Sequence, residues 1–195
     1  MATSIIFLIG PAASGKSSVG KRLSRYYDLT YIDKDVVCNT LTGQLLHENG
    51  FNRSDRDGCD YYKDVVMPLE YETILSVAHS NAIIGRSCLI DAPFGAFFSD
   101  PHYITNLRKK YEWSDDIHTI VLQVHIDNDE LKRRMEARNF DRDQCKFDHW
   151  YQYLESIKKA SCQWTGIPRI VYDNTELLPP DEELARRVDI EKYLK

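Results

Sequence analysis

Near the start of the chain, Gly10-Pro11-Ala12-Ala13-Ser14-Gly15-Lys16-Ser17 sets two glycines, a lysine and a hydroxyl in the spacing G-x-x-x-x-G-K-[ST]. Glycine lets a backbone curl until several N–H groups face one concavity, and a helix starting behind them adds its positive end. Such a cradle is built for a chain of phosphates. Gly10, Ala12, Ala13, Ser14, Gly15 and Ser18 are its phosphate-side candidates, Lys16 is placed to reach the β- and γ-phosphates, and the Ser17 hydroxyl is placed to ligate Mg2+. The flanks suit this reading. Residues 4–9 are an apolar run, and residues 15–26 have Val19 and Leu23 four apart on one helical face.

Acidic residues recur where further strands should end. Asp33 and Asp35 close a short strand over residues 29–32; if extended, both carboxylates share one side, towards the crevice beside the loop. Asp33 is then a metal candidate acting through water, and Asp35 a candidate to accept the proton of an incoming hydroxyl during phosphoryl transfer. Asp35 also suits the N-cap of a helix starting at Val36. Asp91 ends the apolar run Cys88-Leu89-Ile90, where a carboxylate supports Mg2+ beside a phosphate loop.

Cations come next. Arg134 and Arg138 are four apart on one helical face, and Arg142 lies just beyond in the charged stretch 139–147. Arginine forks closing over a transferred phosphoryl stabilise its charge and exclude water, so residues 138–147 read as a lid carrying Arg138 and Arg142. Arg56, in the polar loop 50–57, and Arg86, ahead of the strand ending at Asp91, are acceptor-side candidates; a solvated surface position is the alternative for each.

The elements that must hold these groups alternate. Strands are expected at residues 4–9, 29–32, 87–90, 117–126 and 169–172. Helices are expected at 15–26, 36–46, 60–80, 104–111, 150–160, from 127 and from 181, with Pro68 kinking or splitting the long one. Alternation of this kind implies parallel strands joined by right-handed crossovers, hence a three-layer α/β sandwich whose ligands lie at the carboxyl ends of the strands.

Composition narrows the class. At 195 residues, with no repeat or linker, the chain reads as one domain over 1–195. A net charge of −5 lacks the cationic surplus that nucleic acid attracts. The apolar run 5–9 is too short to span a membrane, and the five scattered cysteines form no C-x-x-C pair, which suits a cytoplasmic location. The tryptophans and tyrosines read as packing residues, and the six histidines show no metal-ligand spacing.

Taken in order, the loop at residues 10–17, Asp33-x-Asp35, Asp91 after its strand, Arg134-x3-Arg138-x3-Arg142 and Asp173-Asn174-Thr175 resemble the small P-loop kinases. That group includes shikimate and gluconate kinases, chloramphenicol phosphotransferase and the small kinases labelled AAA. The resemblance implies a five-stranded parallel sheet in the order 2-3-1-4-5 and ATP-dependent transfer to a hydroxyl beneath a closing lid. It also implies Arg138 near the adenine, Arg142 on phosphate, Asn174 and Thr175 near the base, and Asp35 on the acceptor. Where shikimate kinases carry a glycine triplet this chain has only Gly85-Arg86, and the arginine-rich lid signature of gluconate kinases is missing.

The expected activity is therefore a kinase using ATP and Mg2+ on a small hydroxyl-bearing acceptor: a sugar-like metabolite, a nucleoside or nucleotide, or an antibiotic. It would work as a monomer or homodimer, without nucleic acid or membrane. A polynucleotide 5′-hydroxyl kinase and an ATP-binding regulatory NTPase without acceptor are the alternatives.

Overall fold

The computed structural model describes residues 3–56, 58–139 and 143–194. Its centre is a parallel sheet of five strands: β1 (Thr3–Ile9), β2 (Thr30–Asp33), β3 (Cys88–Asp91), β4 (Ile117–His125) and β5 (Arg169–Asp173). The spatial order is β2-β3-β1-β4-β5, as the family resemblance implied. All seven residues of β1 are buried, since the strand is covered by neighbours on both edges and by helices on both faces.

Alternate side chains of β1 feed separate cores. Ile5, Phe7 and Ile9 pack with Tyr71, Ile74, Leu75 and Ala78 of helix α3 (Met67–Ala82) and with Ile104 and Leu107 of α4 (Tyr103–Lys110). Ile6 and Leu8 face the other way, onto Val19 and Leu23 of α1 (Lys16–Tyr26) and Leu184, Ala185 and Val188 of α8 (Asp181–Val188). Each fully buried aliphatic side chain contributes about 1.5–3 kcal/mol, so this two-sided burial fixes the strand that delivers the phosphate loop. Arg22 and Arg25 of α1 also pair with Asp181 of α8.

Two helix boundaries differ from expectation. Helix α2 runs Lys34–Glu48, starting before Val36, because the Asp33 carboxylate caps it by accepting from the amides of Asp35 and Val36. Asp35 is therefore not the N-cap. The expected helix over residues 60–80 is a π-helical turn, Tyr62–Val66, running into α3. Pro68 lies in the first turn of α3, where a missing N–H costs little.

Helix α5 (Asn128–Arg138) is capped by Asp127, whose carboxylate accepts from the Asp129 amide at 2.8 Å. Helices α6 (Gln144–Asp148) and α7 (Trp150–Lys159) follow. Trp113 and Trp164 are core residues, as expected. Among the described residues, no helix is long and apolar enough to cross a membrane.

Candidate active site

The carboxyl ends of β1, β2 and β3 come level, with Leu8 beside Asp91 and Asp33 beside Asp91 across the sheet. The turn after β1 puts Ala13 (φ 64°) and Gly15 (φ 86°) in the left-handed region, and Gly15 caps α1. The first amides of α1 thus face the concavity of the loop without helical partners of their own. Lys16 curls back over it, its Nζ donating to the Pro11 carbonyl at 2.7 Å. Burial pushes the Lys16 pKa down to about 8, against the attraction of Asp91 and Asp35.

Beneath the loop lies a scaffold. Asn174, 2% exposed, donates from Nδ2 to the Ser14 carbonyl at 2.8 Å. A Cβ on Gly15 would lie 2.3 Å from that nitrogen, so glycine is required by packing as well as by φ. Arg134 donates to the carbonyls of Asn174 and Thr175 at 2.8 and 3.2 Å, and its Nε donates to Glu130 at 2.7 Å. Hydrogen bonds from Arg133 and Arg134 hold the Glu130 carboxyl down at about 2.

On the other side of Lys16 are oxygen groups. Asp91, 6% exposed, accepts from the Tyr31 hydroxyl at 2.7 Å, and Asp33 Oδ2 is 3.5 Å from the same hydroxyl. Burial and then Asp91 push the Tyr31 phenol well above its ordinary pKa. Ser17, Asp33 and Asp91 line one cleft of about 470 Å³ with Lys16. Among the described residues no cluster of three or more His, Cys, Asp or Glu side chains could hold a metal alone. Two carboxylates and a hydroxyl are nonetheless hard oxygen donors that fit Mg2+, which keeps several of its waters.

The far wall of the cleft is formed by α2, with Lys34, Asp35, Val36 and Asn39, and α3 packs behind it. Lys34 and Glu70 form an ion pair at 2.7 Å, with side chains 4% and 3% exposed. Glu70 is saturated: Tyr62 OH donates to it at 2.8 Å and Thr42 Oγ1 at 2.6 Å. The π-helical turn supplies Tyr62, a use consistent with such turns marking functional sites. Lys34 Nζ also lies 3.3 Å from Asp35 Oδ1, and Arg56 Nη1 lies 3.8 Å from that same oxygen. Arg56 further donates to Asn39 at 2.8 Å and lies over the Tyr62 ring.

Of the residues expected at the site, Gly10, Ala12, Ala13, Lys16, Ser17, Asp33, Asp35, Asp91 and Arg138 line the cleft together. Others are placed differently. The Ser14 side chain is wholly buried, so Ser14 can contribute only main-chain atoms. Ser18 is exposed on α1 and lines no part of the cleft. Asn174 and Thr175 are committed to the scaffold, Asn174 to Ser14 and Thr175 Oγ1 to the Asp127 amide, because the exit of β5 passes under the loop. Arg86 precedes β3 and is exposed at the amino end of the sheet, opposite the cleft, so it cannot serve the acceptor. Arg142 and part of the expected lid lie outside the described residues. Arg138 is anchored by the buried Asp143 at 2.7 Å, which also binds Lys146 at 2.9 Å.

Tyr31, Lys34, Glu70 and Lys146 are additions that the sequence reading missed. One signal was available, since Glu70 is an acid on the face of α3 that also carries Ile74 and Ala78.

A profile of the AAA domain family (AAA_33) matches residues 5–160. Shikimate kinase from Francisella tularensis subsp. novicida is 39% identical over 62 residues, 28% of this chain and 35% of that one. The match therefore spans about a third of the length of these curated relatives. Shikimate kinase from Bacteroides thetaiotaomicron superposes with a TM-score of 0.59 at 18% identity, over 95% of this chain and 96% of its own. Deoxyadenosine kinase from M. mycoides does so with a TM-score of 0.54 at 14% identity, over 98% and 100%. At such identities the likeness is one of fold. The chain belongs to the AAA domain family matched by its residues 5–160, and its fold is that of the small P-loop kinases.

Proposed function

We propose that the protein is a small-molecule kinase that transfers the γ-phosphoryl group of ATP to a hydroxyl of a small polar acceptor. The observation that carries this reading is the convergence of Lys16, Asp35 and Asp91 on one cleft beside the phosphate loop. A nucleotide-binding switch needs the loop and Asp91 but has no use for a carboxylate on the opposite wall.

The roles follow from placement. The loop amides and Lys16 hold the β- and γ-phosphates, and Arg138 adds a cation on the lid side. Ser17, Asp91 and Asp33 would hold Mg2+, which when bound offsets charge on the phosphate oxygens. The acceptor oxygen forms a bond to the γ-phosphorus as the bond to the β-phosphate oxygen breaks; ADP leaves, and the hydroxyl proton passes to Asp35. Asp35 lies between Lys34 and Arg56, which fix its position.

The acceptor would lie against Asp35, Lys34, Asn39 and Arg56, a wall rich in hydrogen-bond donors and acceptors. A net charge of −5 argues for a small acceptor over a polynucleotide. The test is incubation with ATP, Mg2+ and pooled polar metabolites, with mass spectrometry to find any species that gains a phosphate. Asp35→Asn should abolish the gain and leave nucleotide binding intact. Near-normal transfer by that variant would remove the base assignment, and ATP turnover without any phosphorylated acceptor would favour the switch. Strong salt dependence of acceptor binding would favour a polynucleotide.

A further inference from the structure

Asp143 is wholly buried, and each of its carboxylate oxygens holds a cation. Oδ2 accepts from Arg138 Nε at 2.7 Å, and Oδ1 accepts from Lys146 Nζ at 2.9 Å. The two cations come from separate helices, Arg138 from the end of α5 and Lys146 from α6. Burial alone would raise the Asp143 carboxyl, yet Lys146 and Arg138 hold it below its ordinary range, so it is ionised at neutral pH. A buried carboxylate bonded at both oxygens fixes its partners more firmly than a solvated pair does.

Both cations line the phosphate cleft with Lys16. Burial lowers the Lys16 pKa most, and the nearby charge of Arg138 lowers it further. Packing ties Lys146 to the phosphate loop as well. Phe147, the next residue, and Tyr153, whose ring centre lies 5.7 Å from Lys146 Nζ, pack on Ile126, Leu131 and Met135, and so does Ala13 of the loop.

An ammonium has three protons, and Asp143 Oδ1 takes one, so two can serve a ligand. Loop amides surround the inner phosphates, whereas a cation reaching in from α6 meets the terminal one, whose oxygens are open on that side. A lysine normally loses much rotamer freedom when it binds, and holding it beforehand removes most of that cost. We infer that Asp143 is a positioning residue that presets Lys146, alongside Arg138, to bind the terminal phosphate of a nucleoside triphosphate. The inference rests on the triphosphate part of the kinase reading and is independent of the acceptor.

The experiment is calorimetry with AMPPNP and with ADP, both in Mg2+. Lys146→Met keeps the stem and removes the charge. It should weaken AMPPNP by about tenfold or more and ADP by less than about twofold. Asp143→Asn should weaken AMPPNP in the same selective way, and by less in a Lys146→Met background, because the residue it positions is already lost.

Unchanged AMPPNP affinity in Lys146→Met overturns the inference and leaves the kinase reading standing. Equal weakening of AMPPNP and ADP does the same, since it marks a structural loss with no phosphate preference. An Asp143→Asn effect undiminished in the Lys146→Met background overturns the positioning role. Selective loss of AMPPNP in Lys146→Met, in a protein that phosphorylates no acceptor, would support the inference and end the kinase reading. A wild-type protein that binds neither nucleotide ends both.

Discussion

The two walls of the cleft are built by different means. The donor wall is main chain, with loop amides and left-handed turns at Ala13 and Gly15 fastened from below by Asn174 and Arg134. The proposed acceptor wall is side chain, with Lys34 backed by Glu70 from a separate helix, the pair neutralised in the interior and hydrogen-bonded by Tyr62 and Thr42. A main-chain site binds what every member of such a fold must bind. A side-chain wall can be rewritten residue by residue, and here the acceptor is to be read.

The largest expected effect tests whether the walls act in one reaction. Asp35→Asn should lower phosphoryl transfer by about 10²–10⁴-fold with ATP affinity retained, as seen by comparing initial rates with equilibrium binding. Parallel loss of both would merge the walls and break the contrast. Next, Glu70→Leu should destabilise the protein by about 3–5 kcal/mol in urea unfolding, because Lys34 would be left buried without its counter-ion. Lys34→Met with Glu70→Leu should recover most of that stability but not acceptor KM; full recovery of both would reduce the pair to packing.

Asn174→Ala should weaken nucleotide binding by about tenfold, equivalent to about 1.4 kcal/mol, with acceptor KM unchanged. An effect on acceptor KM alone would place Asn174 on the wrong wall. The smallest effect is in pH. With its pKa lowered by burial to about 8, Lys16 is protonated below that value and loses its proton above it. Phosphate needs the ammonium, so ATP affinity measured in EDTA should be flat below about pH 7 and fall towards about tenfold per unit above about pH 8, with proton uptake on binding. For the free protein the sign is opposite. The unfolded chain binds the extra proton between about pH 8 and 10.5, so stability should rise there.

The contrast also explains what could be read before folding. The loop was legible because its demands are local: glycines, a lysine and a hydroxyl at fixed spacing after an apolar strand. Asp91 was legible for a similar reason, as the polar end of a buried run. Asp33 and Asp35 both line the cleft, but an extended backbone is not what brings them there. An alternation of two holds only while the chain is extended, and Asp33 ends the strand by capping a helix that starts at Lys34. Lys34 and Glu70 are 36 residues apart, joined only by the packing of α2 on α3, and no spacing rule connects them. Arg86 shows the converse error, since closeness in sequence to Asp91 hid the length of β3 between them.

Asn174 and the Ser14 carbonyl it holds are separated by 160 residues of chain. At ribosomal rates of about 5–20 residues per second, the phosphate loop emerges roughly 8–32 s before its fastening is synthesised. During that interval β1 and α1 can form, but the loop lacks its underside. Nucleotide capture thereby becomes a late event in biosynthesis, and a ribosome-bound chain stalled before residue 174 should fail to retain ATP where one stalled well beyond it succeeds.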